Sequence, residues 1–173
     1  MRILHLIIFS LVFSSCASQI TEADKLSRMK ADNLLKQEFV KDTQDSKLLF
    51  SISDKWYMVI TKKEGAYNDY YYEVDSLNTI NEIQKPKEPL NKTLMNKAFN
   101  FSQYNKSFTT FESSKYKNNY ELSQGNKTYF VVLNDEGNRY GEFALSVIIE
   151  PTPINKEVYY YLVTRLTNVM SHN

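Results

Sequence analysis

The chain has few of the residues on which most catalytic and metal sites depend. Its 173 residues include two histidines, one cysteine and four glycines. A Ser-His-Asp or Cys-His arrangement needs an ordered imidazole, whereas His5 and His172 lie close to the two ends of the chain. Zinc sites built on histidine and cysteine are excluded for the same reason, and the glycines are too widely spaced for a phosphate-binding loop. The sequence therefore predicts no catalytic residue, no metal and no cofactor.

A strong excess of either charge is also absent. The chain has 21 basic and 20 acidic side chains, a formal net charge of +1. A nearly neutral body has no electrostatic reason to bind nucleic acid, so we predict no nucleic-acid partner. With 13 tyrosines and 10 phenylalanines, the chain has too many aromatic residues for a disordered tail, and its length suits one ordinary domain.

The first fifteen residues have the layout of an export signal. Arg2 is followed by a largely apolar run from Ile3 to Phe13 and then by the small residues Ser14 and Ser15. A membrane-spanning helix needs about 20 apolar residues, and this run supplies roughly half that number. We therefore expect the segment to direct export without itself spanning the membrane.

The letters FSSC, from Phe13 to Cys16, resemble the lipobox of bacterial lipoproteins. The resemblance covers only the first sixteen residues. It implies that residues 1–15 are a signal peptide removed by cleavage, that Cys16 then carries acyl chains such as palmitate, and that residues 16–21 are a short tether. The protein would be anchored by its lipid to a membrane of the cell envelope. Because Ala17 follows the cysteine in place of aspartate, the sorting rule of such lipoproteins favours the outer membrane.

The same letters also fit an ordinary secretory signal. Ser15, Cys16 and Ala17 satisfy the small-x-small rule for cleavage after Ala17, which would discard the cysteine with the signal. Two or three acyl chains hold a protein on a membrane durably, because each buried methylene contributes about 0.8 kcal/mol. The two interpretations therefore predict different places for the mature protein, on the membrane or released from it.

Residues 22–173 are predicted to form a single α+β domain. The sequence from Thr21 to Asp24 has the Ser/Thr-x-x-acid pattern of a helix start, and no glycine or proline interrupts residues 21–40. A second helix is expected after the break at 85–89, and a third, amphipathic helix follows a cap at Asn155. The apolar positions of these two helices are Leu94, Met95, Ala98 and Phe99, and Val158, Leu162, Leu166 and Val169.

Alternating apolar residues predict the strands between these helices. A first group is an antiparallel meander of three strands with apolar faces at Leu48, Phe50 and Ile52, at Trp56, Met58 and Ile60, and at Tyr70, Tyr72 and Val74. A second group is expected around 108–111, 120–122, 128–133 and 139–150. The order α-βββ-α-ββββ-α indicates an antiparallel sheet of about six to seven strands covered by helices, with a C-terminal amphipathic helix.

Two runs of three tyrosines contain candidate partner-binding residues. In DYYYE at 69–73 and EVYYYL at 157–162 the neighbouring side chains must point in different directions, so at least one in each run is expected at the surface. Tyr71, Tyr159 and Tyr160 are therefore candidate contacts to a protein or a glycan. The alternative is that these rings pack at the rim of the core with their hydroxyls in water.

A short motif in the same region suggests a modification. Asp75-Ser76-Leu77 resembles the acceptor of some periplasmic O-glycosylation systems. The resemblance covers three residues and makes Ser76 a candidate glycosylation site.

Carboxylates on the predicted third strand are the alternative candidates for catalytic residues. Asp69, Glu73 and Asp75 are predicted to share a strand face with Tyr71, and the two-residue repeat places Glu73 and Asp75 about 7 Å apart. This distance falls in the range that separates the acid and the base of inverting glycosidases. The other interpretation is that alternation places these charges on the solvent-exposed face of a half-buried strand.

Together these observations predict a lipid-anchored, non-catalytic cell-envelope protein that binds a protein or glycan partner near the membrane. Two alternatives follow from the same sequence. One is a carboxylate-dependent hydrolase of envelope polysaccharide, and the other is an immunity or inhibitor lipoprotein that blocks an incoming toxin.

Overall fold

The first described element is a helix at the predicted position. The computed structural model of the chain describes residues 20–40, 44–109, 123–148 and 152–172. Helix α1 spans Glu22–Glu38, and the Oγ1 atom of Thr21 accepts a hydrogen bond from the backbone N–H of Asp24 at 3.2 Å. The predicted cap is confirmed. None of the helices in these ranges has the length and apolarity needed to cross a membrane.

Within the described residues, six antiparallel strands form one sheet. They are β1 (Ser46–Ile52), β2 (Trp56–Lys63), β3 (Ala66–Val74), β4 (Ile80–Ile83), β5 (Ser123–Leu133) and β6 (Arg139–Ile148). Their order across the sheet is β4-β3-β2-β1-β5-β6, and every neighbouring pair is antiparallel. The α+β class and the number of strands are therefore confirmed.

Helices cover both faces of this sheet. On one face lie α2 (Lys92–Ala98) and α3 (Lys156–Met170), and α3 contributes Val158, Leu162 and Leu166 to a core that includes Phe50 of β1. On the other face α1 packs through Ala31 and Leu34 against a second core. Because each large apolar side chain that is fully buried contributes about 1.5–3 kcal/mol, both cores stabilise the sheet. The predicted Asn155 cap of α3 is also confirmed, since its side chain accepts from the backbone N–H groups of Glu157 and Val158.

The two edges of the sheet differ. Along β6 the backbone N–H of Thr109 donates to the carbonyl of Glu142 at 2.8 Å, and the N–H of Gly141 donates to the carbonyl of Asn105 at 2.9 Å. Gly141 has φ +58°, and a Cβ at this position would lie 2.7 Å from the ring of Tyr104, so glycine permits this close approach. The segment 105–109 therefore covers part of the β6 edge, while β4 forms the other edge of the sheet.

The structure also corrects parts of the strand prediction. β4 was not predicted, because four residues with Asn81 and Glu82 at their centre are too few to establish an alternating pattern. Within the described residues the second group contributes the strands β5 and β6, which match the expected strands at 128–133 and 139–150. Thr109 makes only an isolated parallel bridge to Phe143, and the expected strand at 120–122 lies outside the described residues.

Candidate functional site

Two clefts lie on either side of the segment Gln84–Glu88, which connects the end of β4 to the approach of α2. The first has a volume of about 390 Å³ and lies between this segment and Asn168, Val169 and His172 at the end of α3. The second has a volume of about 410 Å³ and lies between the start of the segment and β3 and β4. Gln84 and Lys85 line both clefts. The 84–88 segment therefore separates two neighbouring concave surfaces.

The side chains around these clefts offer several kinds of polar contact. The first cleft presents the ammonium groups of Lys85 and Lys87 and the imidazole of His172. The second is lined by Asp69, Tyr70, Tyr71 and Glu82 of β3 and β4. Clefts of several hundred Å³ are of the size that takes a small ligand or a few side chains of a partner.

A buried polar cluster binds the end of the 84–88 segment. In this Arg165 cluster, Arg165 of α3 donates from Nε to the hydroxyl of Tyr71 at 2.6 Å and from Nη2 to Oδ2 of Asp69 at 2.7 Å. The same Nη2 donates to the carbonyl of Glu88 at 2.9 Å, and the Tyr71 hydroxyl donates to Asp69 at 2.7 Å. Arg165 thus joins α3, β3 and the 84–88 segment through one guanidinium.

The protonation of this cluster is set by its surroundings. Burial raises the pKa of the Tyr71 phenol, and its hydrogen bond to Asp69 raises it further. Burial by itself lowers the pKa of the Arg165 guanidinium, but the hydrogen bond to Asp69 and the neighbouring tyrosines more than offset this, so the net shift is upward. Tyr71 is therefore a neutral donor and Arg165 a fixed cation at neutral pH. The cluster therefore holds the 84–88 segment through the carbonyl of Glu88 and neutralises the carboxylate of Asp69.

The structure corrects the expected exposure of two of the candidate tyrosines. Tyr71 is 0% exposed and Tyr159 is 2% exposed, and both belong to the core under α3. The expectation was wrong because alternation shows that β3 has two faces but not that a helix covers the second face. Tyr160 is 38% exposed. It contacts the ring of Tyr159 edge-on at 5.9 Å between centroids and lies 5.7 Å from Lys156 Nζ. Of the three, only Tyr160 presents its ring at the surface, and it is not among the residues that line the two clefts.

The paired carboxylates proposed for hydrolysis have separate structural partners. Glu73 Oε1 pairs with Lys55 Nζ at 2.8 Å. Asp75 Oδ1 accepts from the backbone N–H groups of Leu77 and Thr79, both at 2.8 Å, in the turn between β3 and β4. The hydrogen bond from Thr79 is the main reason that the pKa of Asp75 is lowered. A general acid needs a raised pKa, so Asp75 has the opposite of the property that this role requires.

These contacts lead to a prediction for the double variant Glu73→Gln with Asp75→Asn. An amide oxygen at position 75 can still accept from the turn, and Glu73 makes only a surface ion pair, so we expect the melting temperature to change by less than about 3 °C. Differential scanning calorimetry measures the change. A loss of the wild-type cellular phenotype by this folded variant would favour the hydrolase and contradict a purely structural role for the two carboxylates.

The two remaining predicted sites are placed differently. Ser76 is exposed in the turn that follows β3, beside the Asp75 that holds the turn together. Cys16 lies outside the described residues. The candidate glycosylation site is therefore sterically open, and the lipid anchor stays a prediction of the sequence.

A second buried cluster, on the opposite face of the sheet, was not predicted. In this Glu142 cluster the carboxylate of Glu142, only 3% exposed, accepts two hydrogen bonds from Arg28 of α1, at 2.7 and 2.6 Å. Arg139 donates to both of its oxygens at 3.1 and 3.0 Å, and Tyr129 donates at 2.5 Å. Arg139 also pairs with Asp32 at 2.7 Å. The cluster fixes α1 on strands β5 and β6.

The sequence did contain a signal for both clusters. Lysine outnumbers arginine by 17 to 4, and the three arginines of the described domain, Arg28, Arg139 and Arg165, all make ion pairs with carboxylates in these two clusters. The planar guanidinium can donate two parallel hydrogen bonds to a carboxylate, which lysine cannot do. Arg28 and Arg139 each donate two such bonds to Glu142, whereas Arg165 shares its donors between Tyr71, Asp69 and the carbonyl of Glu88.

Comparison of the chain with protein-family models, with curated proteins and with solved structures gives no match.

Proposed function

We propose that this protein is a lipid-anchored, non-catalytic protein of the bacterial cell envelope that binds a protein or glycan partner close to the membrane. The anchor is supported by the export signal and the lipobox-like residues ending at Cys16. Ala17 after the cysteine favours the outer membrane. Binding near the membrane is supported by the position of α1, because only five residues, Ala17 to Thr21, separate it from the acylated cysteine.

The pair of clefts around the 84–88 segment is the observation that carries the binding proposal. The residues that line them include Lys85 and Lys87, Gln84 and Asn168, and Glu82, whose charged and amide side chains are suited to hydroxyl groups of sugars and to polar peptide groups. The Arg165 cluster holds the segment between the clefts in place, so the binding surface is formed before the partner arrives.

The anchor is tested by the variant Cys16→Ala. Metabolic labelling with a palmitate analogue is expected to mark the wild type and not the variant, and the variant should also lose the change in gel mobility that accompanies removal of the signal peptide. Labelling of the wild type no stronger than that of the variant would replace the anchor with plain secretion after Ala17.

The binding surface is tested by crosslinking in living cells. A photoreactive amino acid at Lys85, which lines both clefts, is expected to give a discrete adduct with its partner. The matched control is the same amino acid at Lys63, which is exposed at the end of β2 and lines neither cleft. Sensitivity of the adduct to glycan-cleaving enzymes identifies a glycan, and mass spectrometry of a protein adduct separates an envelope protein from an incoming toxin. Equal adducts at both positions, or none at Lys85, would contradict the cleft as the binding surface.

A further inference from the structure

One end of the sheet is closely connected to the start of α1. We call it the near end and define it by the turn Ser53–Lys55 between β1 and β2, the turn Asp75–Thr79 between β3 and β4, and Lys127 of β5. Backbone hydrogen bonds join these parts, from the N–H of Ser53 to the carbonyl of Lys127 at 2.6 Å and from the N–H of Val74 to the carbonyl of Lys55 at 2.8 Å. The two turns and the strand therefore form one continuous surface.

The first turns of α1 are fixed to this near end. Ser27 Oγ donates to Oδ2 of Asp54 at 2.9 Å. Lys127 Nζ donates to the carbonyl of Ala23 at 2.6 Å and lies 3.4 Å from Oδ1 of Asp24. The position at which the chain enters the domain is thus set relative to the two turns.

The near end carries the most exposed large apolar side chain of the described residues. Leu77, at the tip of the Asp75–Thr79 turn, is 84% exposed. The turn is held by Asp75, so the leucine is presented on a defined loop. Trp56, the only tryptophan of the chain, begins β2 at the same end and is half-buried, with Lys55 Nζ 4.9 Å from its ring centre. Leucine, tryptophan and lysine with a long apolar stem are side chains that suit the interface between lipid and water.

We infer that the near end rests on the membrane surface, with Leu77 and Trp56 in contact with lipid. This inference rests on the proposed anchor at Cys16. The five residues between Cys16 and α1 can span at most about 17 Å when fully extended, so the start of α1 and the near end fixed to it must stay close to the bilayer. A side chain as apolar and exposed as Leu77 gains from burial in that position. β4 runs away from the near end toward the 84–88 segment, so both clefts face the space above the membrane.

The single tryptophan gives a direct test. The mature protein, purified in detergent from the cells that export it, is reconstituted in vesicles of phosphatidylethanolamine and phosphatidylglycerol that contain lipids brominated near the head of the acyl chain. Fluorescence of Trp56 is expected to be quenched several-fold more strongly than that of a control, Trp56→Phe with Ala66→Trp, which places the probe at an exposed site on the opposite end of the sheet. Quenching at the two sites that is equal, or stronger for the control, would overturn the inference.

A pair of charge variants completes the test. Leu77→Glu is expected to reduce the quenching of Trp56, whereas Ala66→Glu, which adds the same charge at the opposite end, should leave it unchanged. Equal effects would contradict a role for Leu77.

Flotation separates the proposed lipid anchor from the inferred orientation of the near end. Protein that does not float with vesicles overturns the anchor, whereas protein that floats with Trp56 unquenched overturns only the orientation.

Discussion

Replacing Arg165 with methionine is expected to lower the free energy of unfolding by about 3–5 kcal/mol. The change removes the guanidinium that links Asp69, Tyr71 and the carbonyl of Glu88, and it leaves the carboxylate of Asp69 beneath α3 without the counter-charge of Arg165. Urea unfolding followed by the fluorescence of Trp56 measures the loss. The slope of the transition should stay close to that of the wild type, since the surface exposed on unfolding is nearly the same.

Three control variants distinguish a lost ion pair from a general loss of packing. Arg165→Met combined with Asp69→Leu removes both charges and should recover much of the stability, because no unpaired charge is then buried. Arg165→Lys keeps the charge without the planar geometry and should lie between the wild type and Arg165→Met. Lys97→Met breaks an exposed pair with Glu157 and should barely move the urea midpoint. If Arg165→Met is as stable as Lys97→Met, the cluster does not hold the 84–88 segment as described.

Loss of stability in acid is expected to depend strongly on Glu142. Burial by itself raises the pKa of this carboxyl, but hydrogen bonds from Arg28, Arg139 and Tyr129 outweigh burial and the net shift is downward. A carboxyl whose pKa is lower in the folded state adds stability at pH values above its unfolded pKa, near 4.3. That stability is lost as the pH falls through the lower folded pKa. The wild type should therefore lose stability steeply below about pH 4.

The variant Glu142→Gln separates this effect from general acid denaturation. At neutral pH it should be less stable by about 3–5 kcal/mol, because Arg28 and Arg139 lose their shared carboxylate. Its stability should also fall less steeply than that of the wild type between about pH 5 and pH 3. Thermal melts recorded from neutral pH down to about pH 3 measure both the loss at neutral pH and the slope in acid. Glu136→Gln, in the exposed turn between β5 and β6, is the matched control and should follow the wild-type curve. Parallel curves for Glu142→Gln and the wild type would contradict the assignment.

Periodicity in the sequence predicted most of the elements but not which faces are covered. The caps at Thr21 and Asn155 and the apolar repeat of α3 are local features, so the sequence alone located both helices. Burial of Tyr71 depends on α3, which is about ninety residues later in the chain and whose docking no local pattern records. The same limitation explains why Asp69 was expected on a solvent-exposed face, although it binds the guanidinium of Arg165.

The candidate site was harder to predict than the fold, for a related reason. The clefts arise where the 84–88 segment passes between β4 and the end of α3, and their lining is a mixture of charged, amide, aromatic and apolar residues drawn from distant parts of the sequence. No spacing along the sequence marks them. The arginines Arg28, Arg139 and Arg165 were a compositional signal only for the two buried clusters, where each makes an ion pair with a carboxylate.

Strand β1 is buried on both of its faces, and this has a consequence for handling the protein. Its residues Lys47 to Ile52 are all buried, and the letters LLFSI at 48–52 combine high strand propensity with no charge and no proline. Such a segment pairs readily with other copies of itself whenever a chain is unfolded. Only the completed sheet, with a helix layer on each side, keeps it from doing so. Any substitution that loosens either layer should therefore reduce the yield of soluble protein, and refolding should recover more of the chain from dilute than from concentrated solution.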